Sequence, residues 1–242
     1  MKWLQALPRK PSDLTYLARR YATDSRIIAP AYALAQRRSD LFPFLGTDLL
    51  VEGYPRSANT YLLCALKWSD PQYKYASHMH GCGSIEFAAR HGIPMVILIR
   101  EPLRAVVSLA IREGFRLDYC FEWYLKYYKC VVAHRSSLVL ADFPIVTSDL
   151  ECVYEGLRSR YELALGRAPK KPSEISEILA MVVYSEMRVS GGVIDPLKVA
   201  IPTIEKLETA PKLEREIDRS SRLSMLLGAC TRQYHELTEA KV

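Results

Sequence analysis

MVILIREPLRAVVSL, residues 95–109, decides the fold. Met95–Ile99 is an unbroken apolar run, as expected of a strand buried on both faces of a parallel sheet. Pro102 then suits the first turn of a helix, where its missing N–H costs nothing. Along that helix Leu103, Val106, Val107, Ala110 and Ile111 recur at helical spacing and form one inward stripe. Working outward, strands are expected at 48–53, 73–77 and 144–147. Helices are expected at 60–67, at 84–90 (with Ser84 as cap and Gly92 as stop) and at 149–165, ending at Gly166. A long aromatic helix is expected over 117–140. Strands alternating with helices predict an α/β fold: a three-layer sandwich with a central parallel sheet and helices on both faces. Additional helices flank it: two short ones over 12–39, interrupted near Asp24–Ser25 and at Pro30, and C-terminal ones over 172–188 and 211–238.

The 242 residues are 49% hydrophobic and 25% charged, enough for a core of ordinary size. Net charge is +6, spread along the chain, with no run of five like charges to mark a nucleic-acid tail. The six cysteines form no CxxC pair. No cleavable leader and no apolar run long enough for a membrane span are seen. These features point to a cytoplasmic protein without a nucleic-acid partner, although the N-terminal helices could touch a membrane surface peripherally.

The second informative stretch is VEGYPRSANTYLL, residues 51–63. It places Arg56, Ser57, Ala58, Asn59, Thr60 and Tyr61 between a strand and a helix, beyond the carboxyl edge of the sheet where ligands of such folds bind. A helix starting near Asn59 offers unpaired N–H groups to an anion. Arg56 adds a permanently charged fork suited to phosphate or sulfonate oxygens. The same residues also suit a plain turn with a capped helix. No GxxxxGK[ST] loop occurs. Arg100 leaves the next strand at the same edge, and Ser108 follows eight residues later in the row Arg104, Ser108, Arg112.

Taken together, strand–PRSANT–helix and strand–Arg–x7–Ser–helix resemble the sulfotransferase superfamily, over about residues 48–166. The resemblance implies a P-loop-like nucleotide-binding core over 48–166. That core would sit in a single domain spanning 1–242, with a helical N-terminal extension over 1–45 and a mostly helical part over 167–242. It implies 3′-phosphoadenosine 5′-phosphosulfate as co-substrate. Arg56, Ser57, Ala58, Asn59, Thr60 and Tyr61 would lie at its phosphosulfate end, and Arg100 and Ser108 at its 3′-phosphate. No metal is implied. The acceptor would be a small molecule, saccharide or glycolipid bearing a hydroxyl.

Sulfuryl transfer needs a general base, and the resemblance puts a His just past the second strand. Here the chain reads Ser77-His78-Met79-His80-Gly81. His80 is the favoured base and His78 an orienting or substrate-side residue, with Arg56 neutralising the leaving phosphate. Glu113 and Glu122 are alternative bases, with surface helix charges as the plainer reading. Some residues depart from the family pattern. Ala58 stands where a Gly is usual, so a positive φ there would be strained. Thr147 takes a usual Tyr position, and the Arg-Lys-Gly clamp near the C-terminus is missing; Arg219, Ser220 and Arg222 read as solvated. These departures motivate the rival reading of an anion- or nucleotide-binding protein without turnover. Tyr119, Phe121, Trp123, Tyr124, Tyr127 and Tyr128 read as core packing before an acceptor-pocket wall.

Overall fold

The computed structural model describes residues 11–239 apart from 190, 193, 194 and 202, so residues 1–10 of the expected N-terminal extension and 240–242 lie outside the described residues. Helices α1 (Pro11–Asp24) and α2 (Ile28–Ala35) lead to β1 (Leu49–Gly53), α3 (Asn59–Ser69), β2 (Tyr75–Ser77), α4 (Cys82–His91), β3 (Met95–Ile99) and α5 (Pro102–Glu113). Then come α6 (Leu117–Ala133), β4 (Val139–Asp142), α7 (Phe143–Ser148), α8 (Leu150–Tyr161), α9 (Pro172–Val189), α10 (Ile204–Arg219) and α11 (Ser221–Glu239). The four strands lie in the order β2-β1-β3-β4, all parallel.

Strand β3 explains the three layers. Met95, Ile97 and Ile99 enter one core, with Ile85 of α4, Val106 of α5 and the aromatics of α6. Val96 and Leu98 enter the other, with Leu62 of α3, Val153 of α8 and Ile178 of α9. Both faces are buried, as an unbroken apolar strand requires.

Several expectations need correction; the helix expected over 149–165 ends at Tyr161, with Glu162 left-handed at its cap, and Pro30 lies in the first turn of α2 without interrupting it. The fourth strand is Val139–Asp142, and Pro144–Thr147 lies in α7. Pro144 sits in the first turn of that helix, where a residue without an N–H is tolerated. The aromatic helix stops at Ala133, because His134–Ser137 turn the chain back into the sheet. Helix α4 begins at Cys82 after Gly81, and the Ser84 hydroxyl donates to the Gly81 carbonyl instead of capping. The expected helix over 211–238 is two helices broken at Ser220, with Pro211 inside the first.

Helix α1 closes down on the chain after β2. A Cβ on Gly81 would stand 2.3 Å from the Thr23 carbonyl oxygen, and one on Gly83 2.9 Å from the Ser25 carbonyl. Replacing Gly81 by Ala should therefore push α1 away and cost about 1–3 kcal/mol by overpacking. Urea unfolding measures this, and an unchanged midpoint would show that α1 does not press on Gly81.

Candidate functional site

The loops at the carboxyl ends of β1, β2 and β3 open onto one cavity of about 1000 Å³. Arg56, Ala58, Asn59, Thr60 and Tyr61 line it from the first loop, His78 and His80 from the second, and Arg100 and Ser108 from the third loop and α5. Helices α1 and α2 add Arg19 and Tyr32, and the C-terminal part adds Glu186 and Lys206. Of the expected site residues, only Ser57 is not among the lining. It is buried under the loop, beside the Tyr128 hydroxyl.

The two arginine turns are joined directly. Arg100 donates from Nη1 to the Arg56 carbonyl at 2.8 Å, and its guanidinium lies 4.1 Å from the Phe143 ring centroid. Arg56 donates from Nε to Ser108 Oγ at 3.0 Å. Its other nitrogens donate to the carbonyls of Lys198 (3.4 Å) and Val199 (3.0 Å). Burial and the nearby charges of Arg112 and Arg100 pull the Arg56 pKa down to about 10. Asn59 steadies the turn from below, donating to the Tyr54 carbonyl at 3.1 Å. Glu101 accepts from the amides of Leu103 and Arg104 and caps α5, so the chain leaving Arg100 is fixed at once. Ala58 takes φ 71° at the cap of α3, the left-handed conformation that favours glycine.

The second loop rests on a residue that sequence reasoning missed. Glu52, in β1, has no exposed surface. Its carboxylate accepts the amides of Met79 at 2.6 Å and His80 at 3.0 Å. Burial pushes its pKa up to about 8, against the pull of these amides. The one signal in the sequence was an acid inside an apolar strand immediately before the turn.

His80 lies with Nδ1 2.8 Å from the Gly53 carbonyl oxygen and 3.5 Å from Glu52 Oε2. Only a protonated Nδ1 can donate to a carbonyl, so the neutral ring keeps its lone pair on Nε2. Burial first, then His78 and Arg19, holds the His80 pKa well below the usual imidazole range. His78 Nε2 lies 3.0 Å from Thr60 Oγ1, and burial with Arg38 lowers its pKa to about 4. Both rings are thus neutral bases near pH 7.

No family model matches the chain, and no curated protein matches its sequence. Among solved structures, the mouse sulfotransferase SULT7A1 complexed with PAP is similar at 12% identity, over 76% of this chain and 90% of that one, with a TM-score of 0.42. A likeness of this size assigns no chemistry to the site.

The remaining candidates separate by place. Glu113 lines the cavity, 3.2 Å from Arg112 and 3.9 Å from Arg19. Glu122 lies elsewhere, 3.4 Å from Arg222, which also pairs with Asp118. Thr147 lines the cavity from α7, its hydroxyl donating to the Phe143 carbonyl. The aromatics of α6 are core, but their polar tips grip the site loops. Trp123 donates to the His80 carbonyl, Tyr124 to that of Arg100 and Tyr128 to that of Leu98. Among the described residues no group of three His, Cys, Asp or Glu side chains could hold a metal, and no helix is long and apolar enough to cross a membrane.

Two outcomes follow from this geometry. Ala58→Gly relieves a left-handed strain of about 1–2 kcal/mol at some cost in unfolded-state entropy, so the melting temperature should rise; a fall would mean Ala58 is unstrained. In NMR titrations of the ligand-free protein, the His78 ring should stay neutral down to about pH 5 and the His80 ring should protonate well below the usual imidazole range; a midpoint near pH 6.5 for either would refute their burial.

Proposed function

We propose that the chain is a sulfotransferase that moves a sulfuryl group from 3′-phosphoadenosine 5′-phosphosulfate to a hydroxyl of a small-molecule, saccharide or glycolipid acceptor. The observation that carries this reading is the meeting of the Arg56 and Arg100 turns at one cavity that also takes in two neutral histidines. Arg56, Arg100 and Lys206 line that cavity, and none of the three forms an ion pair among the described residues. Three uncompensated cations suit a donor carrying several phosphate and sulfate charges.

In the proposed reaction the donor's phosphosulfate end lies over the start of α3, held by the amides there, Thr60 and Arg56. Its 3′-phosphate takes Arg100 and Ser108. The acceptor oxygen attacks sulfur as the bond from sulfur to the 5′-phosphate oxygen breaks. His80 Nε2 takes the hydroxyl proton. Charge growing on the leaving phosphate is met by Arg56 and the helix amides. Arginine does not surrender its proton there, so it acts by charge alone. His78 holds Thr60 in place, and Glu52 holds the backbone of the histidine turn.

Thermal shift with 3′-phosphoadenosine 5′-phosphate, followed by sulfate transfer to a panel of hydroxylated acceptors, tests the reading. His80→Gln should keep nucleotide affinity and lower transfer about 10²–10⁴-fold. Nucleotide binding without transfer by the unaltered protein would favour the binding protein without turnover. Arg100→Ala should weaken the 3′-phosphorylated nucleotide by about 1.5–3 kcal/mol. It should change binding of the analogue phosphorylated only at the 5′ position far less, and equal losses would contradict the assignment of Arg100.

A further inference from the structure

Lys206 sits in the first turn of α10, far along the chain from the site loops. Its ammonium is directed into the cavity by two carbonyls, those of Val199 and Ile201, the latter at 2.8 Å. The same short segment receives the cavity's arginines. Arg56 donates to the Lys198 and Val199 carbonyls, and Arg112 donates to the Lys198 carbonyl at 2.5 Å. The segment's own turn is fixed by Asp195, whose carbonyl accepts the amides of Lys198 and Val199.

These contacts satisfy donors without neutralising charge. Arg112 has its counter-ion, a two-pronged pair with Glu186 at 3.1 and 3.2 Å. Arg56 and Lys206 have only neutral partners, carbonyls and the Ser108 hydroxyl, and share the Val199 carbonyl, which leaves two like charges side by side in a partly desolvated cavity. Burial first, then the charges of Arg56 and Arg112, lowers the Lys206 pKa to about 8. The charged groups facing that ammonium are Arg56 and Arg112, which lower its pKa, and Glu186 and Asp195, which raise it. Such a pair is costly when empty and is relieved by an anion lying between them.

We propose that Lys206 is a binding residue for the same anion as Arg56, the phosphosulfate end of the donor, and that the carbonyls of residues 198–201 hold the two cations ready for it. This rests on the proposed donor, and it deepens that reading by naming a contact from the C-terminal helices, where the sequence showed no clamp. The proposed 3′-phosphate contacts are Arg100 and Ser108, so adenosine 3′-monophosphate should not feel Lys206.

Calorimetry on the full chain tests the proposal. Over about pH 7 to about pH 9 the nucleotide phosphates are largely ionised and Arg56 stays mostly charged, while Lys206 loses most of its proton. Affinity for 3′-phosphoadenosine 5′-phosphate should fall about tenfold across that range in the unaltered protein. Lys206→Met should bind about tenfold more weakly at the lower pH and respond little to pH. Lys206→Arg should bind as the unaltered protein does at the lower pH and stay flat, which separates charge from folding. With adenosine 3′-monophosphate the Lys206→Met loss should vanish. Unchanged affinity and pH response in Lys206→Met, or an equal loss with the 3′-monophosphate, overturns the proposal. Inorganic pyrophosphate guards the distinction from the donor itself: if it binds with the same Lys206 dependence while the nucleotide does not, the donor reading falls and the role of Lys206 stands. If neither anion binds, both fall.

Discussion

Four residues other than glycine hold left-handed backbone at the carboxyl edge of the sheet: Arg56 and Ala58 at φ 71°, His78 at 73° and His80 at 57°. Each costs about 1–2 kcal/mol, so the arrangement persists only because its surroundings over-determine it. Four kinds of contact supply that restraint. Glu52 accepts two amides of the histidine turn, Trp123 donates to its carbonyl, Asn59 ties back to Tyr54, and Arg100 donates to the Arg56 carbonyl. Without such turns the chain would leave each strand in an ordinary extended path, and the two arginines and two histidines would not face one space.

The cavity's charge follows from the same geometry. The first and third loops are close enough for a side chain of one to bond the backbone of the other, so their cations are necessarily neighbours. Arg104 and Arg112 are offset by Glu214 and Glu186. Arg56, Arg100 and Lys206 are held by carbonyls, a hydroxyl and an aromatic ring. A carbonyl satisfies a donor's geometry but carries no net charge, so the attraction for an anion is retained. This is preorganisation: the repulsion is borne by the folded protein before the ligand arrives.

The sheet and both arginine turns could be read from the sequence because each rests on a local pattern. Met95–Ile99 is apolar without interruption, Pro102 and Glu101 mark a helix start, and Pro55–Thr60 falls between a strand and a helix. The misplaced fourth strand shows where local pattern fails. Leu138–Ala141 continues the apolar character of α6, so periodicity alone runs the helix onward, while Ile145–Val146–Thr147 has strand-like composition yet follows a proline that starts a helix. Lys206 carried no signal at all. It is one cation in a polar helix, and only tertiary packing brings it next to Arg56. Glu52 was visible as an anomaly, but its partners lie in the loop after a different strand.

Under the proposed reaction, a base beside a highly charged donor faces a conflict. The donor's negative charge raises the pKa of a nearby imidazole and would leave it protonated, unable to accept the hydroxyl proton. Two features of this site oppose that. Burial disfavours the imidazolium form of both His78 and His80, and Arg19, Arg38 and Arg112 act in the same direction on His78. The cations around the cavity therefore do more than attract the donor. They offset its field at the histidines, so that an imidazole held far below its usual range in the empty site can rise on donor binding and still remain neutral near pH 7.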